Sequence, residues 1–197
     1  MSASSKQKGL LVILSGPSGV GKSTITQAVR ERLNAALSIS MTTRDQRTGE
    51  EDGVNYHFVN QKHFKQEVML GNMLEYAEVY GNFYGTPKEP VTEVLADGGV
   101  MLLEIDVKGA CQVKAKMPKG FAIFINPPSE ETLLTRLRGR GREGEEIIQK
   151  RYAAARKEMA EAKECGAYDV FVVNDDLEKA IGEICGLIEA KRGGGRK

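Results

Sequence analysis

Several features that would narrow a chain's identity are scarce here, and each shortage argues against a class of protein. The 197 residues hold 3 cysteines, Cys111, Cys165 and Cys185, far apart and in no C-x-x-C pair. That spacing speaks against a disulfide framework or a zinc site and predicts small core thiols of a reduced, cytoplasmic protein. No sign of charge is in excess. The 28 Lys and Arg face 27 Asp and Glu, for a formal net charge of +1, so bulk DNA or RNA is not an expected partner. No apolar run reaches the roughly 20 residues of a membrane helix. The polar start, Met1 to Gly9, leads into an apolar stretch too short for a leader's core. No internal repeat is present. The length suits one α/β domain with an insertion, or at most two small domains.

What is present begins with Gly16-Pro17-Ser18-Gly19-Val20-Gly21-Lys22-Ser23, the G-x-x-x-x-G-K-[ST] spacing of a phosphate-cradling loop. Glycines let the backbone wrap an anion so that successive N–H groups point inward. Lys22 supplies a point charge for the β- and γ-phosphates, and the Ser23 hydroxyl can complete a Mg²⁺ shell. The apolar run Leu10 to Leu14 precedes the loop. Ile25, Ala28, Val29 and Leu33 follow it at helical spacing. Strand, loop and helix start therefore converge on one anion, Thr24 lying at the first helical turn. A glycine-rich turn without a ligand lacks that context.

Strand-like runs recur at Val100 to Ile105, Phe121 to Ile125 and Val170 to Val173, and more weakly at Leu37 to Thr42. Helical patterns fall between them: Thr86-Pro87 to Ala96, a helix capped by Ser129, Glu145 to Lys163, and Asp176 to Ala190. Alternation of this kind predicts a parallel, helix-covered sheet. Met41 to Gly85 interrupts it with polar, partly alternating sequence, read as a small antiparallel insertion. A second irregular stretch runs from Arg138 to Gly144.

Within the insertion, Arg44 and Arg47 offer planar donor forks suited to a phosphate, with Tyr56 and Tyr84 as hydroxyl donors. The fragment alone equally allows a solvated loop in which these arginines pair with Glu50 and Glu51. The stretch Thr42 to Phe58 meets every fixed position of the guanylate kinase signature over seventeen residues. Similarity continues through Glu75, Gly81 to Thr86, Leu103 to Asp106, Gly139-Arg140-Gly141 and Asn174-Asp175-Asp176. The chain thus resembles guanylate kinases over nearly its whole length.

That resemblance implies an α/β fold: a P-loop NTPase-type parallel sheet flanked by helices, with a small mixed α/β GMP-binding insertion and a helical lid. It implies a core of residues 9–40, 87–135 and 165–192, an insertion over 41–86, a lid over 136–164, and flexible tails at 1–8 and 193–197. The implied reaction is direct phosphoryl transfer from ATP to GMP, and to dGMP, with Mg²⁺. GMP would meet Ser40, Arg44, Arg47, Glu50, Tyr56, Glu75, Tyr84, Thr86 and Asp106. ATP would meet Gly16 to Thr24, Arg136, Arg140, Asn174 and Asp175. Lys22, Arg44, Arg140 and Arg151 are the implied catalytic residues. Ser23 would hold the metal, with Glu104 or Asp106 acting directly or through water. The family's commoner acid at position 104 is Asp, which leaves that choice open, and Thr86 stands where Ser is frequent.

The chemistry of the base agrees. Guanine presents N1–H and its exocyclic amine as adjacent donors, which the Glu75 carboxylate can accept together. Its O6 acceptor requires a hydroxyl such as Ser40 or Thr86. Adenine reverses the pattern at position 6. Two other readings compete: a non-catalytic scaffold module, opposed by the intact Gly21-Lys22-Ser23, and a kinase of another nucleoside monophosphate, opposed by Arg44 to Phe58 and Glu75. Closure of insertion and lid around both nucleotides is expected.

Overall fold

The apolar run after Gly9 becomes a central strand, β1 (Leu10–Ser15), buried at all six residues. Burial on both faces is what lets this strand be continuously apolar rather than alternating. The computed structural model describes residues 8–139 and 144–193. Most of both expected tails and Arg140 lie outside those residues. Chain order continues α1 (Lys22–Leu33), β2 (Ala36–Leu37), β3 (Met41–Thr42), β4 (His57–Phe58), α2 (Gln61–Met69), β5 (Met73–Val79) and β6 (Asn82–Pro87). There follow α3 (Lys88–Ala96), β7 (Val100–Glu104), α4 (Val107–Lys116), β8 (Phe121–Asn126), α5 (Glu130–Gly139), α6 (Glu145–Glu164), β9 (Val170–Val173) and α7 (Leu177–Gly193). Gly193, expected in the tail, closes α7.

Five strands form a parallel sheet in the order β2-β7-β1-β8-β9. One face packs Val12, Leu14, Leu102, Ile123 and Ile125 against Ile25 and Val29 of α1 and Ile181 and Ile184 of α7. The other packs Leu11, Ile13 and Leu103 against Val91 of α3 and Ala110 and Val113 of α4. Each such Leu or Ile contributes about 1.5–3 kcal/mol by leaving water. The C-terminal ends of β1, β7 and β9 lead to Gly16, Ile105 and Asn174. Those ends are where open α/β sheets bind ligands.

A second, four-stranded sheet has the order β4-β3-β6-β5. The expected strand from Leu37 to Thr42 is instead two short strands in different sheets. Ser38 N–H still donates to Leu102 O of the core at 2.9 Å, whereas Ser40 O accepts from His57 N of the insertion at 2.9 Å. Three residues thus carry the chain between sheets. The insertion is mixed rather than antiparallel, since β3 pairs β4 in parallel and α2 packs beneath it. Asn60 caps α2 by accepting from His63 N at 2.9 Å, and the fully buried Phe64 stacks on Phe83 at 5.5 Å. The β5–β6 turn uses positive φ at both Tyr80 (50°) and Gly81 (78°), the two-residue turn whose twist matches the strands.

Helix α4 was not anticipated. Its signals are the cap Asp106, which accepts from Gly109 N at 2.7 Å, and Val107, Ala110 and Val113 at helical spacing. Gly109 and three lysines obscure that pattern.

Candidate active site

The phosphate loop leaves β1 at Ser15 and enters α1 at Lys22. Gly19 (φ 88°) and Gly21 (φ 96°) adopt a left-handed backbone, which side chains disfavour. Gly19 also lies against α5: a Cβ there would meet Leu137 Cδ2 at 2.8 Å. Gly16 has equally little room, since a Cβ would meet Ile125 O at 2.6 Å. Pro17 and Val20 are buried, and Ser18, Ser23 and Thr24 are exposed. Lys22 Nζ donates to Gly16 O at 3.3 Å, folding back over the cradle where an anion would sit.

Side chains from β7, from α6 and from the turn after β9 bond this loop and the start of α1, and α5 braces that turn. Ser23 Oγ donates to Glu104 Oε1 at the end of β7, at 2.6 Å. Asp106 uses an oxygen to cap α4. Of the two candidate acids, Glu104 is therefore the one already paired with the loop hydroxyl. Arg151 of α6 donates to Ser18 Oγ at 2.7 Å. Asn174, 4% exposed, donates its amide to Val20 O at 2.7 Å, and Arg136 of α5 donates to Asn174 O at 3.0 Å. The Asn174 carboxamide thus faces the loop backbone, while Asp175 beside it is exposed. Glu158 of α6 was not singled out from sequence. It lies seven residues after Arg151, on the same helical face, half buried. Burial pushes its carboxyl above the usual range, opposed by the positive field of Lys22. The readable signal was that spacing from an arginine aimed at the loop.

The insertion supplies the second half. Arg44 makes a two-pronged ion pair with Glu50: Nη1 to Oε2 and Nη2 to Oε1, both at 2.8 Å. Glu50 also accepts from Arg47 N at 2.8 Å. These bonds hold its carboxyl down at about 2, and the same pairing raises Arg44. The Arg44 guanidinium lies 5.4 Å from the Tyr56 ring centre and 5.6 Å from that of Phe58. Tyr56 meets Tyr84 edge-on at 5.9 Å, and burial raises its phenol. Arg47 is exposed, and Ser40 lies half buried at the crossing between sheets. So the pairing read as a bland alternative does occur for Arg44 and Glu50, inside an aromatic pocket that aims the guanidinium.

Glu75 sits opposite Thr86 across the β5–β6 ladder, and Ala77 opposite Tyr84. The period of two therefore puts Glu75, Tyr84 and Thr86 on one face. Thr86 Oγ1 donates to Glu75 Oε1 at 2.6 Å. Both residues are buried, at 7% and 1% exposure. Burial raises the Glu75 carboxyl above its ordinary value, helped by the Asp106 charge and opposed by the Thr86 hydrogen bonds and by Lys116.

The structure thus carries a glycine loop closed by Lys22, an Arg44 guanidinium held over aromatic rings, and a buried, hydrogen-bonded carboxylate at Glu75. Comparison with known proteins agrees with this arrangement. The family model for guanylate kinase matches residues 8–191. Guanylate kinases of Carboxydothermus hydrogenoformans and Thermobifida fusca are 50% and 49% identical. The first alignment covers 94% of this chain and 90% of that protein, the second 95% of each. A crystal structure of guanylate kinase from Anaplasma phagocytophilum superposes with a TM-score of 0.75 at 34% identity, covering 95% of this chain and 88% of that one. The chain belongs to the guanylate kinase family.

Proposed function

We infer that the protein carries out its family's reaction, ATP-dependent phosphorylation of GMP to GDP, by direct in-line transfer, with dGMP a poorer acceptor. The carrying observation is the buried Glu75–Thr86 pair. A buried carboxylate accepts guanine's two adjacent donors, while the Ser40 hydroxyl serves O6, since Thr86 Oγ1 gives its proton to Glu75. AMP would leave these groups unpaired, a mismatch worth orders of magnitude in kcat/KM.

Lys22 and the loop amides hold the donor phosphates, and Arg44, Arg47, Tyr56 and Tyr84 hold the acceptor phosphate. Glu50 orients Arg44. Catalysis then consists of alignment and charge neutralisation in a site closed to water. Arg151 reaches the loop from α6, and Arg136 of α5 donates to Asn174 O beside it, so closure of the lid brings arginines to the transferring group. Arg140, which the resemblance also implies there, lies outside the described residues. The Ser23 hydroxyl and Glu104 carboxylate form a hard-oxygen pair that would suit Mg²⁺. Bound there, the ion would neutralise charge on the donor phosphates. Of the two residues proposed to meet the ATP adenine, Asp175 is exposed, whereas the Asn174 carboxamide is turned to the loop backbone. Free thiols at Cys111, Cys165 and Cys185 agree with a reducing cytoplasm.

The test is ADP release from Mg-ATP with GMP, dGMP, AMP, UMP or IMP offered in turn. Turnover should be strong with GMP, lower with dGMP and slight with AMP and UMP. No turnover with any acceptor would favour a binding module, and a preference for AMP would overturn the base assignment.

A further inference from the structure

Helix α4 does more than cover the core sheet: one stripe of it grips the strand that carries Glu75. At the first turn, a methyl group on Gly109 would lie 3.0 Å from Glu75 Oε2 and 3.3 Å from Asp106 Oδ1. One turn on, Gln112 makes both amide bonds to the backbone of a single residue of β5. Tyr76 N donates to Gln112 Oε1 at 3.2 Å, and Gln112 Nε2 donates to Tyr76 O at 3.0 Å. A turn further, Lys116 Nζ donates to Met73 O at 2.9 Å. Positions 109, 112 and 116 share one helical face. They meet β5 at Glu75, Tyr76 and Met73, where the ladder to β6 slips register between Met73 and Glu75. β5 is an edge strand of its sheet, and side chains of α4 bond its backbone at Tyr76 and Met73.

We propose that Gly109 and Gln112 of α4 are specificity-determining positioning residues: they set where the Glu75 carboxylate stands, and thereby how strictly guanine is distinguished from other bases. The proposal rests on the reading of Glu75 given above. Its physical content is close approach. One Glu75 oxygen is fixed by Thr86 Oγ1 on β6. The other stands over the bare Cα of Gly109, in space that any larger residue would fill. A donor pair on guanine has a fixed spacing, so a carboxylate displaced by a few tenths of an ångström or turned on its axis loses one of its two bonds. Gly109 lies inside a regular helix without positive φ, so its lack of a side chain is explained by that approach and not by backbone strain.

The helical setting makes the test clean, because alanine is the better helix former and Gly109→Ala should not unfold the protein. Steady-state kinetics and thermal melting are measured for Gly109→Ala, Gln112→Met and Glu75→Gln. Gly182→Ala in α7, where a Cβ meets nothing within 4 Å, is the control for a helical Gly-to-Ala change. Gly109→Ala is expected to raise the KM for GMP about tenfold or more and to narrow the GMP-to-AMP ratio of kcat/KM. Its KM for ATP should stay within about twofold and its Tm should not fall. Gln112→Met should move the same constants in the same direction, by less. Gly182→Ala should leave all of them in place. An unchanged GMP KM in Gly109→Ala, a parallel loss of ATP affinity, or a collapse in Tm overturns the proposal. If Glu75→Gln itself leaves GMP kinetics intact, the base assignment has failed. If Glu75→Gln is crippled while Gly109→Ala is normal, only the role of α4 has failed.

Discussion

At Glu75 the protein buries a carboxylate and gives it one hydroxyl partner, Thr86. That arrangement is costly unless a ligand supplies further donors. Glu75→Gln replaces one acceptor with a donor facing guanine's own donors. It should lower kcat/KM for GMP by about 10²-fold or more, as expected when one charge-assisted bond is lost and the other becomes neutral, with ATP affinity little changed. The same carboxylate must be ionised to accept those bonds. Because its folded value is raised, GMP affinity should weaken on acidification at a higher pH than an ordinary carboxylate would dictate, read from kcat/KM against pH. Glu50 has the opposite sign. Its carboxyl, lowered from 4.5 to about 2 by Arg44 and Arg47, stabilises the fold above pH 4.5 and loses that contribution as pH falls toward 2. The Tm difference between wild type and Glu50→Gln should therefore shrink across that window. Asn174→Leu leaves Val20 O without its donor and should cost about 1–3 kcal/mol in stability. ATP KM should rise, since the braced segment is the phosphate loop. Lys22→Ala should instead depress kcat with every acceptor.

Among the elements, those legible from sequence carry a long uniform signal. Strands β1, β7 and β8 are apolar runs buried in one parallel sheet, with the partly exposed β9 at its edge, and α6 and α7 appear within a few residues of their expected bounds. The phosphate loop and the Arg44 to Phe58 segment were legible because their chemistry demands fixed residue types at fixed spacing. What was not legible depended on partners distant in sequence. Ser38 to Ser40 offers no local sign that the chain changes sheets, because that change is decided by Leu102 on one side and His57 on the other. Helix α2 is short, and its place is fixed by Phe64 against Phe83. Phe64→Ala should cost about 3–5 kcal/mol. Because α2 backs the face of β6 opposite Tyr84 and Thr86, GMP KM should rise with it, measurable in the same assay as chemical denaturation.

For the molecule as a whole, the second sheet and the α5–α6 pair are joined to the core through contacts such as Gln112–Tyr76 and Arg151–Ser18. Binding GMP together with a non-hydrolysable ATP analogue should reduce the radius of gyration in small-angle scattering. An unchanged profile would count against closure. Ligand at about 100 times its Kd adds about 2.7 kcal/mol to the folded state, which for a chain of this size should raise Tm by about 5–10 °C.

By itself the sequence determined the parallel core, the phosphate loop, and the residue types proposed to recognise a guanine nucleotide. Apolar periodicity and motif spacing are local properties, readable without knowing what packs where. Only the tertiary structure decided that Glu104 rather than Asp106 bonds Ser23, since Asp106 is taken up in capping a helix that the sequence concealed. It alone decided that Asn174 turns inward to Val20 and that Arg44 rests on Glu50. Each of those outcomes is a competition for one hydrogen-bonding group between partners brought together by folding. The winner depends on distances of a few tenths of an ångström, which no spacing along the chain records.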